Sequence, residues 1–222
     1  MRPELFVFDM IGTTIEPSDA IPGAFRSALS RTGLHLSDDE ISAVRGRSKR
    51  EAIADLLASH LEEDEAARLQ EPVYAAFQSS LEEHYRSGAV RPIEGAAEAF
   101  EWCRSVGAKI ALTTGLDSNV ADLLIESLGW AGKVDALICN DDVAAGRPAP
   151  YLIQEAMRST GMDSVSKVAS IGDTVSDLQA GVNAGVHWNC AVLTGAHDRS
   201  RLSGVDGAII LQSVAELPEY RW

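Results

Sequence analysis

Six short apolar segments alternate along the chain with longer stretches in which apolar residues recur every three or four positions. The short segments predict strands and the longer ones predict helices. Most strand segments are apolar at consecutive positions, which is typical of parallel strands covered by helices on both faces. The pattern predicts an α/β fold with a mostly parallel sheet, its strands at residues 5–8, 109–112, 136–139, 168–171, 190–193 and 208–211.

Small or polar residues follow each of the first four predicted strands, at residues 9–14, 113–115, 140–142 and 172–174. Ligands of open α/β sheets bind beyond the carboxyl ends of the strands. We therefore expect these four clusters to meet at one site.

The interval between the first two strands is too long for a simple crossover. It holds helical patterns at residues 24–31, 37–44, 49–60 and 65–85 and no convincing strand. We predict a core domain of residues 1–15 and 92–222, with a helical cap domain of residues 16–91 inserted into it. Residues 87–92 are the predicted return hinge. Further helices are predicted in the core at residues 95–106, 118–128, 151–160 and 177–184.

Composition limits the classes of partner. The 222 residues carry 33 acidic and 19 basic side chains, a net charge of −14 at pH 7. Nucleic acids and anionic membranes attract basic surfaces, so we expect neither as a partner. No apolar run approaches the roughly 20 residues of a membrane-spanning helix, and residues 1–10 show no signal-peptide pattern. Three widely spaced cysteines (Cys103, Cys139 and Cys190) favour reduced thiols in a cytoplasmic protein.

Two of the clusters offer a nucleophile and an anion site. Asp9 follows an apolar strand, where it can act as a nucleophile or a metal ligand, or only form a turn. Thr114 and Gly115 can bind phosphate through a hydroxyl and bare amides, or form an ordinary turn between strand and helix.

Two further groups carry opposite charges. Arg147, between a glycine and a proline, can neutralise a phosphoryl group or a buried carboxylate. Asp173 and Asp177, four residues apart at a helix start, can hold a hard divalent cation or cap the helix.

Taken in order, these clusters resemble the haloacid dehalogenase (HAD) superfamily. The resemblance implies a Rossmann-like HAD core with a parallel sheet and an inserted all-helical (C1-type) cap. It makes Asp9 the nucleophile and Arg147 its cationic neighbour, and it assigns phosphate binding to Thr13, Thr114 and Gly115. It also implies Mg²⁺ as cofactor, held by Asp9, the Ile11 carbonyl, Asp173 and Asp177.

One departure from the superfamily pattern points to a particular branch. Most members have a second aspartate where this chain has Ile11. Haloacid dehalogenases also lack it, but they lack the acid pair that this chain keeps as Asp173 and Asp177. The phosphonatase branch lacks it too, and shows Gly-Arg-Pro-Ala-Pro, as at residues 146–150 here. The chain therefore resembles phosphonatase, which cleaves a carbon–phosphorus bond of phosphonoacetaldehyde.

Lys49 is the candidate for imine chemistry. A carbanion leaving group needs an electron sink, which an imine between a lysine and an aldehyde supplies. Gly46 and Lys49 match the glycine and lysine of the phosphonatase cap segment, whereas its methionine is Arg45 here and its histidine is Ala52. Lys49 could instead bind an anion or lie on the surface.

The arginines around Lys49 have expected roles of their own. We expect Arg45 and Arg47 to line the cleft, bind substrate phosphate and lower the pKa of Lys49. Arg45 could also favour a substrate with a second negative group.

Three functions compete. The first is a Mg²⁺-dependent phosphonatase-like hydrolase that forms an aspartyl-phosphate on Asp9 and acts on a small organophosphonate. The second is a phosphomonoester phosphatase acting on a small metabolite. The third is an inactive HAD domain that binds ligands, against which the intact set of charged residues speaks. The resemblance also implies a homodimer formed through the caps.

Overall fold

The computed structural model describes residues 2–88 and 90–222 and contains one six-stranded parallel sheet. Its strands are β1 (Leu5–Asp9), β2 (Lys109–Thr113), β3 (Ala136–Ile138), β4 (Val168–Gly172), β5 (Trp188–Val192) and β6 (Ile209–Leu211). Their order is β3-β2-β1-β4-β5-β6, which places β1 between β2 and β4. All six predicted strands are confirmed, although β5 begins two residues earlier than predicted.

The register of β1 sets the position of the candidate site. Asp9 lies opposite Thr113 of β2, and Phe8 lies opposite Ile171 of β4. Every residue of β1 and β4 is buried, as expected of central parallel strands. Asp9 and the loops that follow β2 and β4 therefore open on the same edge of the sheet.

The helices follow the predicted pattern closely. They are α1 (Ala20–Ser30), α2 (Asp38–Ala43), α3 (Lys49–His60), α4 (Glu63–Ser87), α5 (Ala96–Ser105), α6 (Ser118–Ser127), α7 (Tyr151–Thr160), α8 (Val175–Ala184) and α9 (Arg199–Leu202). α1 begins four residues before its predicted start because Pro22 falls in its first turn, where a missing N–H costs nothing. No helix in the described ranges is long and apolar enough to span a bilayer.

Helices α1 to α4 form a layer of their own between β1 and α5. α4 packs against both α1 and α3, and the rings of Phe25 and Phe77 lie 4.7 Å apart in the contact between α1 and α4. The described residues between Asp9 and α5 contain no strand of the sheet.

The two connections to this helical layer run side by side. Ile15 and Pro92 form an antiparallel bridge, and the Glu16 amide donates a hydrogen bond to the Arg91 carbonyl over 2.9 Å. One residue of the predicted hinge, Ala89, lies outside the described residues. The division into two domains at residues 16–91 stays a prediction.

Candidate active site

The Asp9 carboxylate lies beside the Arg147 guanidinium at the end of β1. Arg147 Nη1 donates a hydrogen bond to Asp9 Oδ1 over 2.6 Å, and its Nη2 donates one to Thr113 Oγ1 over 2.8 Å. The same Nη1 is 2.8 Å from Asp177 Oδ1. All three charged side chains are buried. Arg147 therefore balances two carboxylates that are largely shielded from water.

The Asp173 carboxylate fits a space that two glycines leave open. Its Oδ2 accepts a hydrogen bond from the Ala196 amide over 2.6 Å, and Thr13 Oγ1 donates to its Oδ1 over 3.4 Å. A Cβ on Gly12 would lie 2.5 Å from Oδ2, and one on Gly195 would lie 2.0 Å from it. The backbone of both glycines thus packs directly on this carboxylate and fixes its position.

Asp177 has one oxygen in use and one without a hydrogen bond. Its Oδ2 accepts a hydrogen bond from the Thr174 amide over 2.9 Å and another from the Thr174 hydroxyl, which completes a capping box at the start of α8. Its Oδ1 accepts no hydrogen bond from any described residue, although Arg147 lies nearby. Capping and ligand binding, which the sequence left as alternatives, are compatible in this side chain.

Burial raises the pKa values of the aspartates. The pKa of Asp9 rises to about 6, mainly because it is buried, with Arg147 opposing the rise and Asp177 adding to it. Burial also raises the pKa of Asp173 well above its usual range, and repulsion from Asp9 and Asp177 adds to this. A bound cation would relieve this repulsion.

The oxygen donors suit Mg²⁺, which prefers carboxylate and carbonyl ligands. Within residues 2–88 and 90–222, Asp9, Asp173 and Asp177 do not bring three ligand atoms within 4.8 Å of one another. Arg147 Nη1 lies 2.6 Å from Asp9 Oδ1 and 2.8 Å from Asp177 Oδ1.

The Lys49 amine is buried in the same cavity as Asp9. Its Nζ donates a hydrogen bond to the Arg47 carbonyl over 2.9 Å and would lie 3.5 Å from a Cβ on Gly115. Burial lowers the pKa of Lys49 to about 8, with Asp9 opposing the shift and Arg147 adding to it. The pKa of Lys49 is therefore lowered, as expected, but mainly by burial. The arginine that contributes to the lowering is Arg147 of the core, and neither Arg45 nor Arg47 is among the main causes.

Two glycines allow the loop of residues 44–48 to lie against the sheet edge. Gly46 has a φ of +75°, and a Cβ there would lie 2.1 Å from Thr174 Oγ1. A Cβ on Gly115 would lie 2.8 Å from the Arg47 carbonyl oxygen. Backbone of the helical layer therefore contacts the loops that follow β2 and β4.

A hydrogen bond joins the start of α3 to the loop that carries Arg147. Glu51 Oε1 accepts it from the Gly146 amide over 3.1 Å. A Cβ on Gly146 would lie 2.5 Å from the Ser48 Cβ, so the approach is close here too. The position of Arg147 is thereby coupled to the position of α3.

The two arginines predicted to line the cleft differ in position. Arg45 lines the cavity with Asp9 and Lys49. The Arg47 side chain does not, because its Nη2 pairs with Asp55 over 2.6 Å, and only its backbone carbonyl contacts Lys49. The role of the Arg47 side chain in substrate binding therefore stays a prediction, which its ion pair with Asp55 does not favour.

The predicted phosphate-binding residues also separate. Thr114, Gly115 and Ile11 line the cavity. Thr13 is fully buried outside this lining, since its hydroxyl contacts Asp173 instead. Thr13 can therefore position the Asp173 carboxylate, but its side chain does not face the cavity in which a phosphate would bind.

Apolar side chains close the remainder of the cavity. Ile21 and Phe25 of α1 and Ile41 of α2 line it from the helical layer, and Leu116 lines it from the core. The cavity measures about 690 Å³ when its opening to solvent is counted.

Sequence reasoning missed three groups that hold the charged residues in place. They are the Thr113 hydroxyl on Arg147, the Ala196 amide on Asp173 and the Glu51 carboxylate on Gly146. Thr113 could have been found, because it precedes Thr114 in the same strand-end cluster. No pattern around Ala196 or Glu51 marks them, since both act through long-range contacts.

A buried carboxylate at the end of β1, an arginine beside it and an acid pair after β4 define a hydrolase of the haloacid dehalogenase type. The model of the haloacid dehalogenase-like hydrolase family matches residues 6–191, and the chain belongs to this family. The predicted Rossmann-like HAD fold and the prediction of an enzyme are thereby confirmed.

Curated relatives of the chain include phosphonoacetaldehyde hydrolases. That of Parabacteroides distasonis is 31% identical over 153 residues, which span 57% of each chain. That of Bacillus cereus strain AH187 is 29% identical over 212 residues, covering 89% of this chain and 78% of the relative. Among solved structures, a phosphonoacetaldehyde hydrolase-like protein from Oleispira antarctica superposes with a TM-score of 0.83 at 21% identity, covering 98% of this chain and 90% of that one.

Proposed function

We propose that the chain is a Mg²⁺-dependent hydrolase that cleaves the carbon–phosphorus bond of a small oxophosphonate such as phosphonoacetaldehyde. One observation carries the proposal: the buried amine of Lys49, with its pKa lowered to about 8, shares a cavity with the buried carboxylate of Asp9. An amine and a carboxylate nucleophile in one small cavity suit a substrate with both a carbonyl and a phosphoryl group.

The amine acts first in this mechanism. Neutral Lys49 adds to the aldehyde carbon and water leaves, which gives a C=N bond whose nitrogen carries a proton. A pKa of about 8 leaves roughly a tenth of the lysine neutral at pH 7, far more than an ordinary lysine would supply.

Phosphoryl transfer follows. An Asp9 oxygen attacks phosphorus in line with the C–P bond, and the electron pair of that bond moves into the protonated imine to give an enamine. Arg147, Thr114 and Gly115 lie where they can bind the phosphoryl oxygens. No carboxylic acid is needed at Ile11, because the leaving group is a carbon and not an alkoxide.

Two water molecules complete the cycle. One releases phosphate from Asp9 and restores its carboxylate. The enamine takes a proton on the carbon that had held phosphorus, and the second water hydrolyses the imine to release acetaldehyde and free Lys49. Because imine formation released one water, one water is consumed overall.

Asp9, the Ile11 carbonyl, Asp173 and Asp177 would hold Mg²⁺, and Asp177 Oδ1, which accepts no hydrogen bond although Arg147 lies 2.8 Å from it, supports this assignment. When bound, the ion neutralises charge on the phosphoryl group. Chelation should abolish phosphate release, and added Mg²⁺ should restore it. Full activity in excess chelator would contradict the assignment.

Borohydride trapping tests the proposal. Reduction in the presence of phosphonoacetaldehyde should leave a stable adduct on Lys49, found by peptide mass spectrometry, and Lys49→Arg should leave none. Phosphate release from phosphomonoesters without any adduct would favour the phosphatase function instead. A homodimer and a cytoplasmic location stay predictions.

A further inference from the structure

We infer that Arg45 selects a substrate with a second anionic group, a carboxylate attached to the carbonyl carbon of the oxophosphonate. The inference rests on the proposed function, because it assumes that the carbonyl carbon reacts with Lys49. It narrows the substrate from a phosphonoaldehyde to a phosphono-2-oxo acid.

Arg45 is a cavity residue of the same loop that positions Lys49. It lines the cavity together with Asp9, Lys49 and Arg147. The next residue, Gly46, packs its backbone against Thr174 at the sheet edge, which holds the loop close to the reacting groups.

The charge of Arg45 has no counterpart in the described part of the chain. Two other arginines of the helical layer form close ion pairs, Arg26 with Asp38 over 2.6 Å and Arg47 with Asp55 over 2.6 Å. No carboxylate of residues 2–88 and 90–222 lies within ion-pair distance of Arg45. Its Nε is buried and lacks any hydrogen-bond acceptor in these residues, an arrangement that costs stability unless a ligand supplies one.

The other two cations of the cavity, Arg147 and Lys49, each have another role. Arg147 pairs with Asp9 and Asp177, so its charge is balanced inside the protein. Lys49 must lose its proton to form an imine and so brings no charge to substrate binding at that step. Arg45 therefore differs from both, because its charge is balanced by no carboxylate of the described residues and is present throughout the reaction.

A carboxylate on the carbonyl carbon satisfies this arrangement. Guanidinium and carboxylate groups form paired hydrogen bonds, which would fix the orientation of the carbonyl carbon toward Lys49. The bonds made and broken are those already described, and the organic product becomes a 2-oxo acid in place of acetaldehyde. The resembling phosphonatases have methionine at this position, which offers a direct substitution for the test.

The experiment compares two substrates, 3-phosphonopyruvate and phosphonoacetaldehyde, in the wild-type protein and in Arg45→Met. We expect wild type to have the higher kcat/KM for 3-phosphonopyruvate. Arg45→Met should lower that value about 10- to 150-fold, mainly through KM, the range for loss of a hydrogen bond to a charged group. Its loss on phosphonoacetaldehyde should be smaller, so the ratio of the two kcat/KM values should shift toward phosphonoacetaldehyde, and a circular dichroism spectrum that matches wild type shows that the variant is folded.

Arg26→Met is the matched control, because Arg26 lies in the same helical layer but pairs with exposed acids. It should alter neither value. Equal losses on both substrates in Arg45→Met, or a wild-type preference for phosphonoacetaldehyde, would overturn the inference while a Lys49 adduct with phosphonoacetaldehyde still upheld the proposed function. If wild type cleaves neither phosphonate and forms no adduct, both fail together.

Discussion

The sheet edge and the loop of residues 44–48, taken with Lys49 at the start of α3, both contribute charged groups to one cavity. The two regions differ in how those groups are partnered. At the sheet edge, Asp9 and Asp177 share Arg147, and Asp173 accepts a hydrogen bond from a backbone amide. In the segment of residues 44–49, the Lys49 amine donates a hydrogen bond to the Arg47 carbonyl, and neither Lys49 nor Arg45 pairs with a carboxylate of the described residues. The charged groups of the edge are thus held in place by protein partners before substrate binds. The charge of Arg45 and the amine of Lys49 remain available to interact with the substrate.

This difference assigns separate tasks to the two regions. A preorganised edge is suited to the phosphoryl group, which the proposed phosphonate and phosphomonoester substrates share. The loop is suited to the part of the substrate that varies. Substitutions at the edge should therefore abolish chemistry, and substitutions in the loop should change which substrate reacts or how it is held.

Asp9→Asn should have the largest effect. It removes the proposed nucleophile but keeps the side-chain shape, and we expect phosphate release to fall by at least about 10⁴-fold. Because burial raises the pKa of Asp9 in the folded protein, a neutral amide should be tolerated there. The thermal midpoint, measured by circular dichroism, should therefore not fall by more than a few degrees. Residual activity above a hundredth of wild type would exclude Asp9 as nucleophile.

Lys49→Arg should follow, with a loss of about 10³-fold in kcat on phosphonoacetaldehyde. Arginine keeps the positive charge but cannot form the imine, so substrate binding measured by calorimetry should change far less than kcat. The variant should still hydrolyse an activated phosphomonoester, because that reaction needs only the sheet edge. Such a result would separate the role of Lys49 from that of the edge. A variant that retains C–P cleavage would show that Lys49 acts only as a cation.

Gly46→Ala tests whether the loop must lie against the edge. The new Cβ would meet Thr174 Oγ1 at 2.1 Å, so the loop has to move away and Lys49 with it. We expect kcat/KM to fall by about 10²-fold, the scale of a displacement near 1 Å in a reacting pair. Gly33→Ala is the matched control: its φ is +83°, so the backbone strain is similar, but nothing lies within 4 Å of the new Cβ. Equal losses in both variants would attribute the effect to strain alone.

The pH dependence of Lys49 gives a smaller and graded effect. Its pKa of about 8 lies below the ordinary 10.5, so between these values the unfolded chain binds the proton that the folded one has lost. The penalty for burying its charge is present below pH 8 and disappears as pH rises toward 10.5.

Reductive ethylation of Lys49 by acetaldehyde and cyanoborohydride measures this pKa. Its rate should rise about tenfold per pH unit up to pH 8 and then level off. Exposed Lys133 in the same digest controls for the reagents, and a rise that continues unchanged past pH 9 would contradict the buried amine.

The sequence predicted the edge better than the loop. Apolar strand segments and the polar residues that end them are local signals, so the strands and the positions of Asp9, Arg147 and Asp173 were predictable. The partner of Arg47 was not, because Asp55 lies two turns along α3 and only the folded geometry shows which way the guanidinium turns. The same holds for Thr13, whose contact with Asp173 spans 160 positions.

Glu51→Ala should have the smallest effect and addresses the link between the regions. Removing the carboxylate deprives the Gly146 amide of its acceptor and loosens the contact between α3 and the loop that carries Arg147. Glu51 is half-exposed, so solvent screens this hydrogen bond and its contribution is about 0.5–1.5 kcal/mol, which corresponds to a fall in kcat/KM of about 2- to 12-fold. Glu51→Gln should restore activity, since its side-chain carbonyl can still accept the N–H. If Glu51→Gln is as impaired as Glu51→Ala, the charge of Glu51 matters and the hydrogen bond does not, and the two regions are coupled through electrostatics instead.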